Sequence, residues 1–215
     1  MKDSKNKLLK TAFELFALRG MDGVSTREIV RRAGVNIHAI SYYFGGKEGL
    51  YKAVIDYLFD FMKEESASFI HLEEYLHDLD GAGREEAWNL LCKVIGEFAD
   101  FGFVPKNKYV ALFLTREEFY PSKYGGKFFE RLTCPLQDFM TKCISKITGM
   151  EENDRKAVLL CHMITAQTLV FGRKRNALLK DFKMKSVDGE TSLLIKQMLR
   201  VNVKAILKEY IKEFR

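Results

Sequence analysis

Arg27, His38, Ser41, Tyr42, Tyr43 and Lys47 lie within 21 residues of one another and offer guanidinium, imidazole, hydroxyl and ammonium groups. These groups hydrogen-bond to base edges and phosphate oxygens. Helical spacing sorts them. From about Ile37 to Phe44, burial of Ala39, Ile40, Tyr43 and Phe44 on one face leaves Ile37, His38, Ser41 and Tyr42 outward. Arg27, Ile37, His38 and Ser41 can then reach base edges, and Ala39 can meet a thymine methyl. Thr26, Tyr42, Tyr43 and Lys47 suit phosphate contacts, which position a protein without reading sequence. Tyr43 is also readable as a core aromatic with an exposed hydroxyl. Lys47 begins a helix, beside backbone amides that favour phosphate.

Two short helices must hold these groups. Ser25 is an N-cap for a helix from Thr26, with Glu28 in its first turn and Ile29, Val30 and Ala33 as its apolar face. Gly34 permits a sharp turn, Asn36 caps the second helix, and Gly45-Gly46 end it. A capped helix, a glycine turn and a second capped helix form the helix-turn-helix pattern, whose second helix enters the DNA major groove.

The runs Thr26-Arg27-Glu28-Ile29, Ala33-Gly34-Val35-Asn36 and Tyr42-Tyr43-Phe44-Gly45-Gly46-Lys47-Glu48-Gly49-Leu50 closely resemble the N-terminal DNA-binding domain of the tetracycline-repressor (TetR) family. Phe13, Phe16 and Gly20 fit its first helix, and Ser41 departs from it where many members carry Tyr. The resemblance covers about the first 55 residues. It implies that the family's DNA contacts fall on the positions named above and that the protein binds a double-stranded operator as a homodimer.

Charge agrees with this reading. Residues 1–52 carry ten Lys or Arg against five acids, a net +5, whereas the other 163 residues carry 25 against 24. Nearly all the positive excess therefore sits on the segment expected to meet phosphate.

Glu117 projects into the apolar stripe between Val110 and Phe113. A buried carboxylate needs a partner. Either an internal cation, with Arg131 the candidate, or a ligand could serve. Trp88, Cys92, Phe113, Phe139 and Met163 could line a pocket, although an aromatic stripe at helical spacing is more often plain core. His162 reads as a core histidine or as a further pocket residue. The run Arg116-Glu117-Glu118-Phe119-Tyr120-Pro121-Ser122, with an apolar helix ending near Phe171-Gly172-Arg173, resembles the C-terminal domain of the CecR-like subgroup. That resemblance places Glu117 in an Arg-Glu-x-x-x-Pro signature.

Enzymatic chemistry finds no footing. There is no Ser-His-Asp order or metal-ligand spacing, and Gly45-Gly46-Lys47 lacks the upstream glycine of a phosphate loop and follows a helix. No cofactor or metal is expected. Cys92, Cys134, Cys143 and Cys161 are scattered along helices, which fits reduced thiols in a cytoplasm. No apolar run reaches membrane-span length, and the N-terminus leads into a helix.

Periodicity along the chain predicts an all-α protein of about nine helices. Residues 1–50 form the helix-turn-helix domain, and residues 51–215 form an effector-binding and dimerisation domain. A fourth helix from Lys47 to about Phe61 is expected to be the only covalent route between them. Single helices are expected over Lys127–Thr148, Asn153–Leu179 and Gly189–Phe214. The last two carry apolar residues on more than one face, and pairing with a second copy as a four-helix bundle would cover them. The expected protein is a ligand-responsive repressor released by a small-molecule inducer. The rival is a DNA-binding structural or division-associated protein with the same fold and no inducer.

Overall fold

A computed structural model describes residues 2–65 and 71–211, and all the regular structure among them is helical. Twelve α-helices are present among the described residues: α1 (Lys2–Arg19), α2 (Thr26–Ala33), α3 (Ala39–Phe44), α4 (Lys47–Glu65), α5 (Leu72–Asp80), α6 (Arg84–Phe103), α7 (Lys108–Phe119), α8 (Gly125–Leu132), α9 (Cys134–Thr148), α10 (Arg155–Arg173), α11 (Arg175–Asp181) and α12 (Gly189–Lys208). A 3-10 turn, Pro105–Asn107, precedes α7. No described helix is long and apolar enough to cross a membrane.

Two of the long helices expected from periodicity are divided. Lys127–Thr148 breaks at Thr133, because Pro135 occupies the first turn of α9, where its missing N–H costs nothing and its fixed φ starts a new helix. Asn153–Leu179 breaks at Lys174, after which α11 starts afresh. The expected end at Phe214 lies outside the described residues, and α12 itself ends at Lys208.

The chain forms two compact units. The first contains residues 1–64 together with 108–132, and the second contains 65–107 together with 133–215. This division differs from a boundary at residue 50, and it corrects the expectation of a single connection. The chain passes between the units three times, at 64/65, 107/108 and 132/133. Residues 108–132 lie far along the sequence yet complete the unit that carries the helix-turn-helix.

In the first unit, Leu8, Ala12, Leu15 and Phe16 of α1 are buried together with Ile29, Ile40, Leu50, Tyr51, Val54, Val110 and Phe113. In the second unit, α5, α6, α9, α10 and α12 share one apolar cluster that includes Leu91, Val94, Phe139, Ile144, Leu160, Ile164 and Leu199. Here α6 and α10 cross backbone to backbone. A Cβ on Gly102 would stand 3.0 Å from the Cα of Gly172, so neither position has room for a side chain.

Candidate nucleic-acid interface

The helix-turn-helix is built from the local signals its sequence carries. Ser25 is extended at φ −90° and ψ 150°, and its hydroxyl accepts a hydrogen bond from the Glu28 N–H at 3.2 Å. Gly34 is left-handed at φ 66°, with its N–H on Arg31 O, while the Val35 N–H reaches Val30 O at 3.1 Å. These bonds close α2 and turn the chain. The Asn36 side chain accepts from the His38 N–H at 2.9 Å, so α3 begins at Ala39, two residues later than expected, and Ile37 and His38 stand in the turn.

Burial then sorts the face. Ile40 is 2% exposed, whereas Ile37 is 46% and Tyr42 is 71% exposed, and His38 and Ser41 are exposed as well. Arg27 is exposed, and Thr26, Ala39 and Lys47 are partly buried. The Tyr43 ring is partly buried, edge-on to Tyr42 at 4.9 Å and close to Phe44 at 6.2 Å. It is packed like a core aromatic at the margin of the exposed face. Two arginines of the basic excess serve the fold: Arg19 pairs with Glu28, and Arg32 pairs with Glu14 at 3.2 Å. Those pairs fasten α2 to α1.

The residues expected to form a ligand pocket do not share one compact unit. Phe113 and Glu117 belong to the first, and Trp88, Cys92, Phe139, His162 and Met163 to the second. Phe113 stacks on Tyr51 with centroids 5.8 Å apart. Phe139 is fully buried in the apolar cluster, near Tyr75 at 6.1 Å. Met163 is 53% exposed. Trp88 is partly buried and carries the Arg200 guanidinium 5.6 Å from its centroid. Burial pushes the Cys92 thiol up to about 11.

His162 is exposed rather than core, and its Nδ1 lies 3.1 Å from Gln137 Nε2. It lines an open cleft of about 540 Å³ in the second unit, with Leu76, Gln137, Thr141, Lys142 and Cys161. Sequence spacing gave no signal for this cleft, because it gathers residues from α5, α9 and α10.

Glu117 is buried, as its place in the stripe predicts, but its expected partner is elsewhere. Arg131 pairs with Asp56 at 2.8 Å. Glu117 instead accepts hydrogen bonds from the Tyr51 hydroxyl, the Ser122 N–H at 3.1 Å and the Ser122 hydroxyl at 2.8 Å. Burial, followed by the bond to this carboxylate, raises the Tyr51 hydroxyl well above the ordinary phenol value. Tyr51 is thus the residue around which α1, α4, α7 and the loop before α8 meet.

An all-α chain with a capped, cation-rich helix-turn-helix and a larger helical unit describes a bacterial-type DNA-binding regulator, and the comparisons agree. Residues 8–54 match the TetR-family model of bacterial regulatory proteins, and residues 89–210 match the C-terminal domain of the HTH-type transcriptional dual regulator CecR. The chain belongs to the TetR family of DNA-binding transcriptional regulators, with a CecR-type C-terminal domain. It is 28% identical over 205 residues to the dual regulator CecR of Shigella flexneri, covering 95% of this chain and 92% of that one. Two solved structures share the fold. A Clostridium perfringens protein described as a fatty acid metabolism regulator superposes with TM-score 0.64 at 14% identity, covering 96% of this chain and all of that one. AibR in complex with isovaleryl coenzyme A and operator DNA superposes with TM-score 0.60 at 15% identity, covering 98% of this chain and all of that one.

Proposed function

We propose that the protein is a homodimeric repressor that binds a palindromic operator and is released by a small-molecule effector. The observation that carries the DNA surface is the exposed set Ile37, His38, Ser41 and Tyr42 arrayed over the buried Ile40. In this reading His38, Ser41, Arg27 and Ile37 read base edges, with Ala39 against a thymine methyl, while Thr26, Tyr42, Tyr43 and Lys47 hold phosphates.

Dimerisation is supported by apolar side chains left uncovered on the last two long helices. Leu159, Met163 and Val170 of α10 are 62%, 53% and 37% exposed, and Leu194, Met198 and Val201 of α12 are 49%, 56% and 66% exposed. Each set recurs at helical spacing, and the opposite face of α12, with Ile195, Leu199, Val203 and Leu207, is buried in its own unit. A second copy would bury the exposed stripes as a four-helix bundle. The binding of an effector, as distinct from release, is supported by the His162 cleft and by AibR, whose structure holds isovaleryl coenzyme A and operator DNA together.

The test is a genome-wide binding map followed by footprinting of the bound promoters. One or a few promoters with paired half-sites spaced by whole helical turns support the repressor. Many dispersed sites support a structural DNA-binding role instead. On the footprinted duplex, Lys47→Ala is expected to weaken specific and random binding alike and to lower the salt slope by about one unit. His38→Ala is expected to alter base preference by about 1–3 kcal/mol per misread pair.

A further inference from the structure

The Arg116–Tyr124 segment touches three parts of the DNA-binding unit at once. At one end, Arg116 Nε and Nη2 donate to the carbonyls of Ala17 at 3.3 Å and Leu18 at 2.7 Å, in the last turn of α1. The last carbonyls of a helix lack intrahelical partners and carry the negative end of its dipole, so a forked cation suits them. The side chain also packs beneath the left-handed Gly20, where a Cβ would meet its Cδ at 3.4 Å.

In the middle of the segment, Glu117 joins Tyr51 of α4 to Ser122. The Tyr51 ring is held between Phe16 at 5.1 Å, Phe113 at 5.8 Å and Tyr124 at 6.0 Å. A Cβ at Gly125 would stand 2.5 Å from Glu117 Oε2, so α8 can start against the carboxylate only because glycine is there. At the far end, Lys123 Nζ and the Tyr124 hydroxyl both donate to Glu48, at 2.6 and 2.7 Å. Glu48 follows Lys47, two residues past the glycines that close α3.

We infer that Arg116 and Glu117 are positioning residues for DNA reading, which fix the end of α1 and the first turns of α4 and so set where α3 and Lys47 stand. The inference rests on the DNA surface proposed above. It also gives Glu117 a role that needs no ligand, since its three donors satisfy a buried carboxylate. Contacts to base edges demand closer placement than contacts to phosphates. A loosened clamp should therefore cost specificity before it costs general affinity.

The experiment uses the full-length protein and a duplex chosen by the wild type from a random library, with a scrambled duplex of equal length as control. Arg116→Ala is expected to lose at least tenfold on the selected duplex and under threefold on the scrambled one, with melting and oligomeric state nearly unchanged. Arg116→Lys can reach only one carbonyl and should recover part of the loss. Glu117→Gln keeps an acceptor for Tyr51 but opposes an amide to the two Ser122 donors, and should fall between wild type and Arg116→Ala. Unchanged binding of both duplexes by all three variants overturns the inference. So does an equal loss on both duplexes accompanied by a lowered melting temperature in the conservative variants, because that marks a general stability role. A wild type that selects no duplex overturns the underlying DNA surface, and the clamp with it.

Discussion

Both units have apolar interiors and long-range polar bonds, such as Ser192 and Lys196 to Asp100 in the second, but in the first these bonds converge on a buried carboxylate. In the first, polar groups far apart in sequence are tied together: Arg116 to the end of α1, Glu117 to Tyr51, Lys123 and Tyr124 to Glu48, and Arg131 to Asp56. In the second, a continuous apolar cluster runs through five helices, and an apolar stripe is left over at the surface of α10 and α12. Apolar packing is non-directional and tolerates small slides, whereas a hydrogen bond fixes angle as well as distance. The contrast suits the proposed function, in which a surface that reads base edges must hold its geometry and a surface that meets a second copy needs area and shape.

The largest effect expected from this contrast is on the apolar stripe. Val201→Asp would place a carboxylate in a dry dimer seam, costing several kcal/mol and shifting the protein toward monomer, as sedimentation would show. On a solvent-facing surface the same change stays within about 0.5 kcal/mol, and a protein that remains dimeric would remove the seam from α12. Next comes Gly34→Ala. Nothing lies within 4 Å of the added Cβ, but φ is 66°, so the cost is conformational, about 1 kcal/mol in a thermal melt. Ser25→Ala should cost about as much, 0.5–2 kcal/mol, by orphaning the Glu28 N–H. If melts report separate transitions, both should lower that of the first unit alone.

The smallest effect is on Glu48. Its bonds from Lys123, then Tyr124, hold its carboxyl below the usual carboxylate range. A lowered folded value means the contribution is full at neutral pH and lost only as pH falls through and below the ordinary carboxylate range. Glu48→Gln should flatten that acid dependence slightly and leave the neutral-pH melt almost unchanged, because the pair is exposed.

The helix-turn-helix was readable because its signals are local. Ser25, Gly34 and Asn36 each act within three residues of themselves, and the alternation of Ile40 with His38, Ser41 and Tyr42 needs only helical periodicity. The two apolar faces of α12 were readable for the same reason. Where periodicity ran on without a break, as at Thr133 and Lys174, it joined helices that the backbone separates.

Residue type and position in a stripe were enough to place Glu117 in the interior. Its partners were not predictable that way. Tyr51 lies 66 residues away, and Arg131, the candidate cation, pairs with Asp56 instead. Sequence alone therefore determined the family, through its motif resemblance, and also the helix-turn-helix with its exposed face and the surplus apolar face, which follow from periodicity and capping. That residues 108–132 complete the DNA-binding unit, and that the expected pocket residues divide between two units, was settled by tertiary packing. Which buried donors meet which acceptors depends on contacts between segments about a hundred residues apart, and no local pattern encodes them.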